Sequence, residues 1–145
     1  YANTNILVAE RRGTIDLDPG ETRVIFESNI LTGARVPVRS FLKIGGGTWD
    51  RAQAKPQEVR IIPGTVDETA FTFSATLENM TPATVTGVVA SALLYDREGI
   101  LITASETRIS TIPPRGRQDI LFTWPAAFVR PVTTSDIVVR LDGHR

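Results

Sequence analysis

Between Thr69 and Glu78, the apolar residues Phe71, Phe73, Ala75 and Leu77 alternate with Thr72, Ser74, Thr76 and Glu78. A period of two sends successive side chains to opposite faces of an extended chain, whereas a helix would scatter these apolar groups around its circumference. The stretch therefore reads as a strand with one buried face. Val, Ile and Thr together supply 44 of the 145 residues. Branching at Cβ suits a pleated surface better than a helix, so the chain reads as all-β.

Val85 to Tyr95 is a second long strand, with Val88, Ala90, Ala92 and Leu94 on one face and Val89, Ser91, Leu93 and Tyr95 on the other. Both faces are largely apolar, which places it at the centre of a sheet. Asp96-Arg97-Glu98-Gly99 is a hairpin-length connection with glycine where a positive φ is expected, and Ile100 to Ile109 runs back. Further strands are predicted at Glu58 to Ile62, Gln118 to Trp124 and Asp136 to Leu141, with a turn at Pro113-Pro114-Arg115-Gly116. Six or seven strands in the segment from Glu58 to Asp142 is the density of an antiparallel, immunoglobulin-like β-sandwich. Its expected core is Phe71, Phe73, Leu77, Leu94, Ile120, Phe122, Ile137 and Val139.

The composition removes many kinds of chemistry. Sixteen basic and sixteen acidic residues cancel, so no net field draws in nucleic acid. Cysteine is absent and the single histidine is His144, which excludes thiolate nucleophiles, disulfides and Cys/His zinc sites and removes the usual general base. The expectation is a protein that is not an enzyme and holds no cofactor or metal. No apolar run approaches the roughly 20 residues of a spanning helix, so a membrane would be met only through a segment outside this chain.

The chain also resembles itself. Shifted by 94 positions, Tyr1 falls on Tyr95, Ile6-Leu7-Val8 on Ile100-Leu101-Ile102, Ile15 on Ile109 and Pro19 on Pro113. With two more positions, Gly20 meets Gly116 and Val24-Ile25-Phe26 meets Ile120-Leu121-Phe122. The repeat predicts a tandem: residues 1–44 as the C-terminal part of an incomplete first sandwich, 45–57 as a Gly- and Pro-bearing linker, and 58–143 as a complete second sandwich. A partial sandwich exposes an apolar face and an open edge. The missing strands are therefore expected from an upstream half of the same protein or from a protein partner, which would pair along Val24, Ile25 and Phe26.

Leu93-Leu94-Tyr95-Asp96, followed by Glu98-Gly99-Ile100-Leu101, resembles the FxLYD-type domains, small immunoglobulin-like sandwiches of bacterial and archaeal envelope proteins; Ala92 stands where the motif has Phe. Leu77-Glu78-Asn79 and the Pro-Pro-Arg-Gly turn fit the same layout. The stretches Ile6 to Arg11, Pro19-Gly20-Glu21 and Phe122 to Pro125 are similar to tandem-sandwich envelope proteins of candidate-phyla bacteria. The resemblance implies an extracytoplasmic, envelope-anchored location and a role in protein–protein interaction. It brings no catalytic residue.

Four features could carry a site. Asp16 and Asp18, with Glu21 nearby, offer too few oxygens for a hard cation and read as polar turn residues. Trp49 and Trp124, with Phe128, could form an aromatic platform for a glycan or peptide; the plainer reading is that Trp124 continues the core face and Trp49 wedges two units together. Asn79-Met80-Thr81 matches the N-glycosylation pattern on a predicted surface turn; the plainer reading is that these residues simply make a good turn. The Val24 to Phe26 edge could accept a strand from a neighbour in a filament or complex. The expected function is a non-catalytic structural or adhesive module, with ligand recognition and strand addition as the alternatives.

Overall fold

The computed structural model describes residues 6–15, 17, 19–27, 30–48 and 58–141. By compactness the chain divides into two units: Tyr1–Glu21 with Glu27–Ala54, and Thr22–Phe26 with Lys55–Arg145. All of the strands lie in the second unit, and no described residue is helical.

Six strands follow in order: β1 (Val59–Asp67), β2 (Thr72–Asn79), β3 (Val85–Tyr95), β4 (Leu101–Ile112), β5 (Arg117–Thr123) and β6 (Thr134–Leu141). They form two antiparallel three-stranded sheets, ordered β1-β2-β5 and β4-β3-β6. The alternation at Phe73, Ala75 and Leu77 turns one side of β2 into the core, and these residues are almost wholly buried. Opposite them stand Val88, Ala90, Ala92 and Leu94 of β3, each at 0 % exposure. Ile120 and Phe122 of β5, Ile112 of β4 and Ile137 of β6 complete one cluster. Phe73 and Phe122 stack with ring centroids 5.9 Å apart and planes 26° from parallel.

The double-sided apolar character of Val85 to Tyr95 has its expected consequence, since β3 is the middle strand of its sheet. Gly87 adds a feature that alternation alone does not predict. Its φ of 64° breaks the period, so Val85 and Val88, three residues apart, are both buried.

Several element boundaries differ from the sequence expectation, most by one or two residues and three with a structural reason or consequence. β1 runs on past Ile62 to Asp67, because a register shift between Pro63 and Val66 absorbs the proline as a bulge instead of ending the strand. β4 likewise continues past Ile109 to Ile112. Phe71, expected on the buried face of β2, lies before it. The Asp67 carboxylate accepts the Thr69 and Ala70 amides at 2.8 and 2.9 Å, and the turn it builds ends with Phe71 at φ 56°. Its ring is half-buried and meets Phe128 edge-on at 6.1 Å.

The first unit carries no strand among its described residues, so the tandem arrangement is not seen there. It contains a turn at Pro19-Gly20 and another closed by the Arg35 amide on the Thr32 carbonyl. Val24, Ile25 and Phe26 belong to the compact unit of the sheets but to no ladder; Val24 and Phe26 are half-buried and Ile25 is exposed.

Candidate functional site

The β3–β4 hairpin ends in the Leu-Tyr-Asp sequence, and Asp96 shows why an acid stands there. Its side chain is 4 % exposed, although it follows the last residue of a strand. The Glu98 and Ile100 amides donate to Oδ1 at 3.0 and 2.9 Å, while the Arg130 guanidinium donates to Oδ2 at 2.7 Å. The main chain closes the same loop: the Asp96 amide donates to the Ile100 carbonyl, and the Gly99 amide to the Asp96 carbonyl. Gly99 takes φ 75°, as the hairpin requires. The carboxylate thus staples the turn and also ties it to the loop between β5 and β6. The Ile100 amide foremost, then Arg130 and the Glu98 amide, hold the Asp96 carboxyl below the usual carboxylate range against the opposing effect of burial.

Beside this staple lies an open depression of about 460 Å³ lined by Asp96, Arg97, Glu98, Arg130, Pro131 and Thr133. Its four charges sit in two pairs, Asp96–Arg130 and Arg97–Glu98, the second at 2.8 Å. The arrangement neutralises itself and supplies no unmatched charge for an ionic ligand. Arg130 carries no local sequence signal; only the fold shows it as the partner of an aspartate 34 residues earlier.

An aromatic corner occupies the C-terminal end of β5, where the same β5–β6 loop begins. Trp124 meets Phe128 edge-on at 5.3 Å, and Phe128 in turn meets Phe71. The Trp124 amide donates to the Phe71 carbonyl, and its indole N–H donates to the Ala104 carbonyl at 3.2 Å. Trp124 and Phe128 are half-buried and packed against the core cluster. Trp124 therefore links the end of one sheet to the edge strand of the other. Trp49, its suggested companion, falls outside the described residues, as do Asp16 and Asp18. No group of three metal-ligating side chains occurs among the described residues.

Asn79 serves the turn, the plainer reading of its sequence pattern, but from a buried position. The residue is 1 % exposed, and its amide nitrogen donates to three carbonyls, those of Ala83 at 2.7 Å, Ile112 at 3.2 Å and Pro113 at 2.9 Å. Its Oδ1 accepts both the amide and the hydroxyl of Thr81 at 2.8 Å. The nitrogen that a glycan would need is buried and committed, so in the folded protein the Asn-Met-Thr pattern is a structural hub and not an acceptor. One arm of the hub fixes the β2–β3 turn and the other holds the end of β4.

Glu78 lies in register between Arg60 of β1 and Arg117 of β5 and pairs with both. Burial alone would raise its pKa, but the bonds from Arg117 and Arg60 bring the carboxyl below its ordinary value. A pH dependence follows from the sign of these shifts. Groups whose folded-state pKa is depressed contribute fully above the unfolded carboxyl value of about 4, and that contribution is lost as pH falls through the lower folded values. The thermal midpoint should therefore hold steady from neutrality down to about pH 5 and fall below about pH 4. Asp96→Asn should lower the midpoint at neutral pH and flatten the acid limb. Circular dichroism melts across this range test it, and a midpoint unchanged at the acid end would contradict it.

Compared with protein-family models, curated proteins and solved structures, the chain matches none. Its class rests on its own architecture: an all-β protein of two antiparallel three-stranded sheets, with polar side chains tying the ends of the strands together.

Proposed function

We propose that the chain is a non-catalytic structural or adhesive module that acts through protein–protein contact. The observation that carries this reading is the state of its most distinctive polar side chains. Asp96, the acid of the Leu-Tyr-Asp sequence, spends both oxygens on the hairpin and on Arg130. Asn79 spends its whole amide on turns and a strand end. Trp124 spends its indole N–H on an edge carbonyl. Groups retained for substrate chemistry are ordinarily left poised toward a cleft, with a nucleophile, a base and an orienting group in reach of one another. Here the polar groups serve the scaffold, which leaves surfaces and sheet edges as the parts that meet other molecules.

An immunoglobulin-like sandwich of the FxLYD type, and with it an extracytoplasmic, envelope-anchored setting, belongs to the same proposal and rests on the resemblance of residues 92–101. The test of the non-catalytic reading is a broad hydrolase panel on the purified chain. No turnover is expected. Activity abolished by one point substitution would overturn the proposal.

Strand addition is favoured over ligand recognition by one specific observation. The Trp124 ring packs on the core and its polar edge is satisfied internally, whereas each sheet ends in strands paired on one side only, β1 and β5 in one and β4 and β6 in the other.

A further inference from the structure

Building on the interaction-module reading above, we infer that Thr22–Phe26 is docked in cis on the sheet unit, at the place where that unit takes up an extended apolar segment of a partner protein. Both sheets are built from strands between Val59 and Leu141. Residues Glu27–Ala54, which separate Thr22–Phe26 from those strands in sequence, belong to the other compact unit, yet Thr22–Phe26 belongs with the sheets. Continuity of the chain does not put it there, so tertiary contact does. The segment pairs in no ladder, which leaves the weight of that contact on its side chains.

These side chains follow the pattern of β5. Val24 and Phe26 are half-buried, whereas Ile25 between them is 52 % exposed, the alternation of an extended chain. In β5, Ile120 and Phe122 are 7 and 1 % exposed and Leu121 between them is 55 % exposed. Each run also follows a turn that carries proline and glycine, Pro19-Gly20 in one case and Pro113-Pro114-Arg115-Gly116 in the other. Thr22–Phe26 therefore presents a branched aliphatic side chain and a phenyl ring with one outward residue between them. It is the same face that β5 presents to the core.

The depth of burial separates the two runs. Ile120 and Phe122 belong to the core of a laddered strand, whereas the half-buried side chains of Val24 and Phe26 sit at the surface of the unit, where an occupant exchanges without breaking a strand pair. Segments that offer a branched aliphatic residue and a phenylalanine two positions apart have the chemistry to take this place, and the seats of the alternate side chains supply the selectivity. The chain's own segment holds the advantage while the chain is intact, because tethering gives it an effective concentration that a free segment does not match. Cutting the tether removes that advantage.

The sequence has two lysines, and Lys55 precedes Pro56, a bond that endopeptidases leave intact. A lysine-specific endopeptidase therefore cuts the whole chain between Lys43 and Ile44, where Lys43 is exposed and outside any strand. The cut protein should keep fragments 1–43 and 44–145 together on size exclusion at micromolar concentration. An excess of synthetic peptide of residues 19–27 should displace fragment 1–43, and the same peptide carrying Val24→Asp and Phe26→Asp should not. Val24→Asp with Phe26→Asp in the protein should weaken retention of the fragment at least about tenfold, whereas Ile25→Asp, on the outward side, should leave it unchanged. The thermal midpoints of the uncut variants give the same contrast without the cut, lower for the pair and unchanged for Ile25→Asp. Release of fragment 1–43 from the wild type, or failure of the unaltered peptide to displace it, overturns the inference and leaves the non-catalytic reading to the hydrolase panel. Retention despite Val24→Asp and Phe26→Asp, or an equal loss with Ile25→Asp, also overturns it and moves the contact to another part of residues 1–43.

Discussion

Alanine in place of Phe73 or Phe122 is expected to lower the unfolding free energy by about 3–5 kcal/mol, the range for deleting a fully buried aromatic ring. The two rings are each 1 % exposed and stacked, and they are register partners on adjacent strands, so each forms one wall of the other's site. Loss of one therefore leaves a cavity that the remaining ring, fixed by its own strand, fills only in part. For a domain whose total stability is of order 5–15 kcal/mol, this is the difference between folded and partly unfolded at room temperature. The two losses should add to less than their sum, because the second substitution removes a contact the first has already broken. Urea unfolding of the single and double variants is the measurement. A change below about 1 kcal/mol in both singles would show that the two sheets do not share this core.

The second large effect is expected at Asn79. Aspartate there puts a carboxylate against three carbonyl oxygens at 2.7 to 3.2 Å, in a site that is 1 % exposed and has no cation among the bonds it makes. Either the charge stays and is repelled, or the group protonates and offers one donor where the amide offered two. Alanine leaves the same three carbonyls and the Thr81 amide without their partner. A cost of about 3 kcal/mol or more is expected for each variant, since each stranded buried polar group costs about 1–3 kcal/mol. Aspartate should recover part of its loss in mild acid, where the neutral carboxyl is accessible, whereas alanine should not. Unfolding midpoints at neutral and mildly acid pH separate the two. Equal stability of Asn79→Ala and wild type would remove the hub.

The strands were legible because burial on one face writes a period of two into the sequence, as at Phe73, Ala75 and Leu77. The central place of β3 was legible because residues of both its faces are apolar. What escaped depended on contacts between distant residues. Pro63 looks like a stop until the bulge in β1 is seen. Phe71 continues the alternation, yet the Asp67 carboxylate bends the preceding turn and takes it out of the ladder. Asn79 reads as a surface turn residue, and its burial escapes because its partners Ile112 and Pro113 lie 33 and 34 residues away. Asp96 was visible as part of a motif, but its role needed Arg130.

The central claim is that the polar residues of the Leu-Tyr-Asp hairpin hold the fold and do not act on a ligand. A double-mutant cycle between Asp96 and Arg130, read by urea unfolding at neutral pH, tests it most directly. The account predicts that Asp96→Ala and Arg130→Ala each shift the midpoint to lower urea, Asp96 the more because it also loses the Glu98 and Ile100 amides. It predicts in addition that the double variant is no less stable than Asp96→Ala alone, the mark of coupled partners. Residues kept for function at the expense of stability behave in the opposite way, and their removal leaves the fold unchanged or firmer. An Asp96→Ala protein as stable as the wild type would contradict the account.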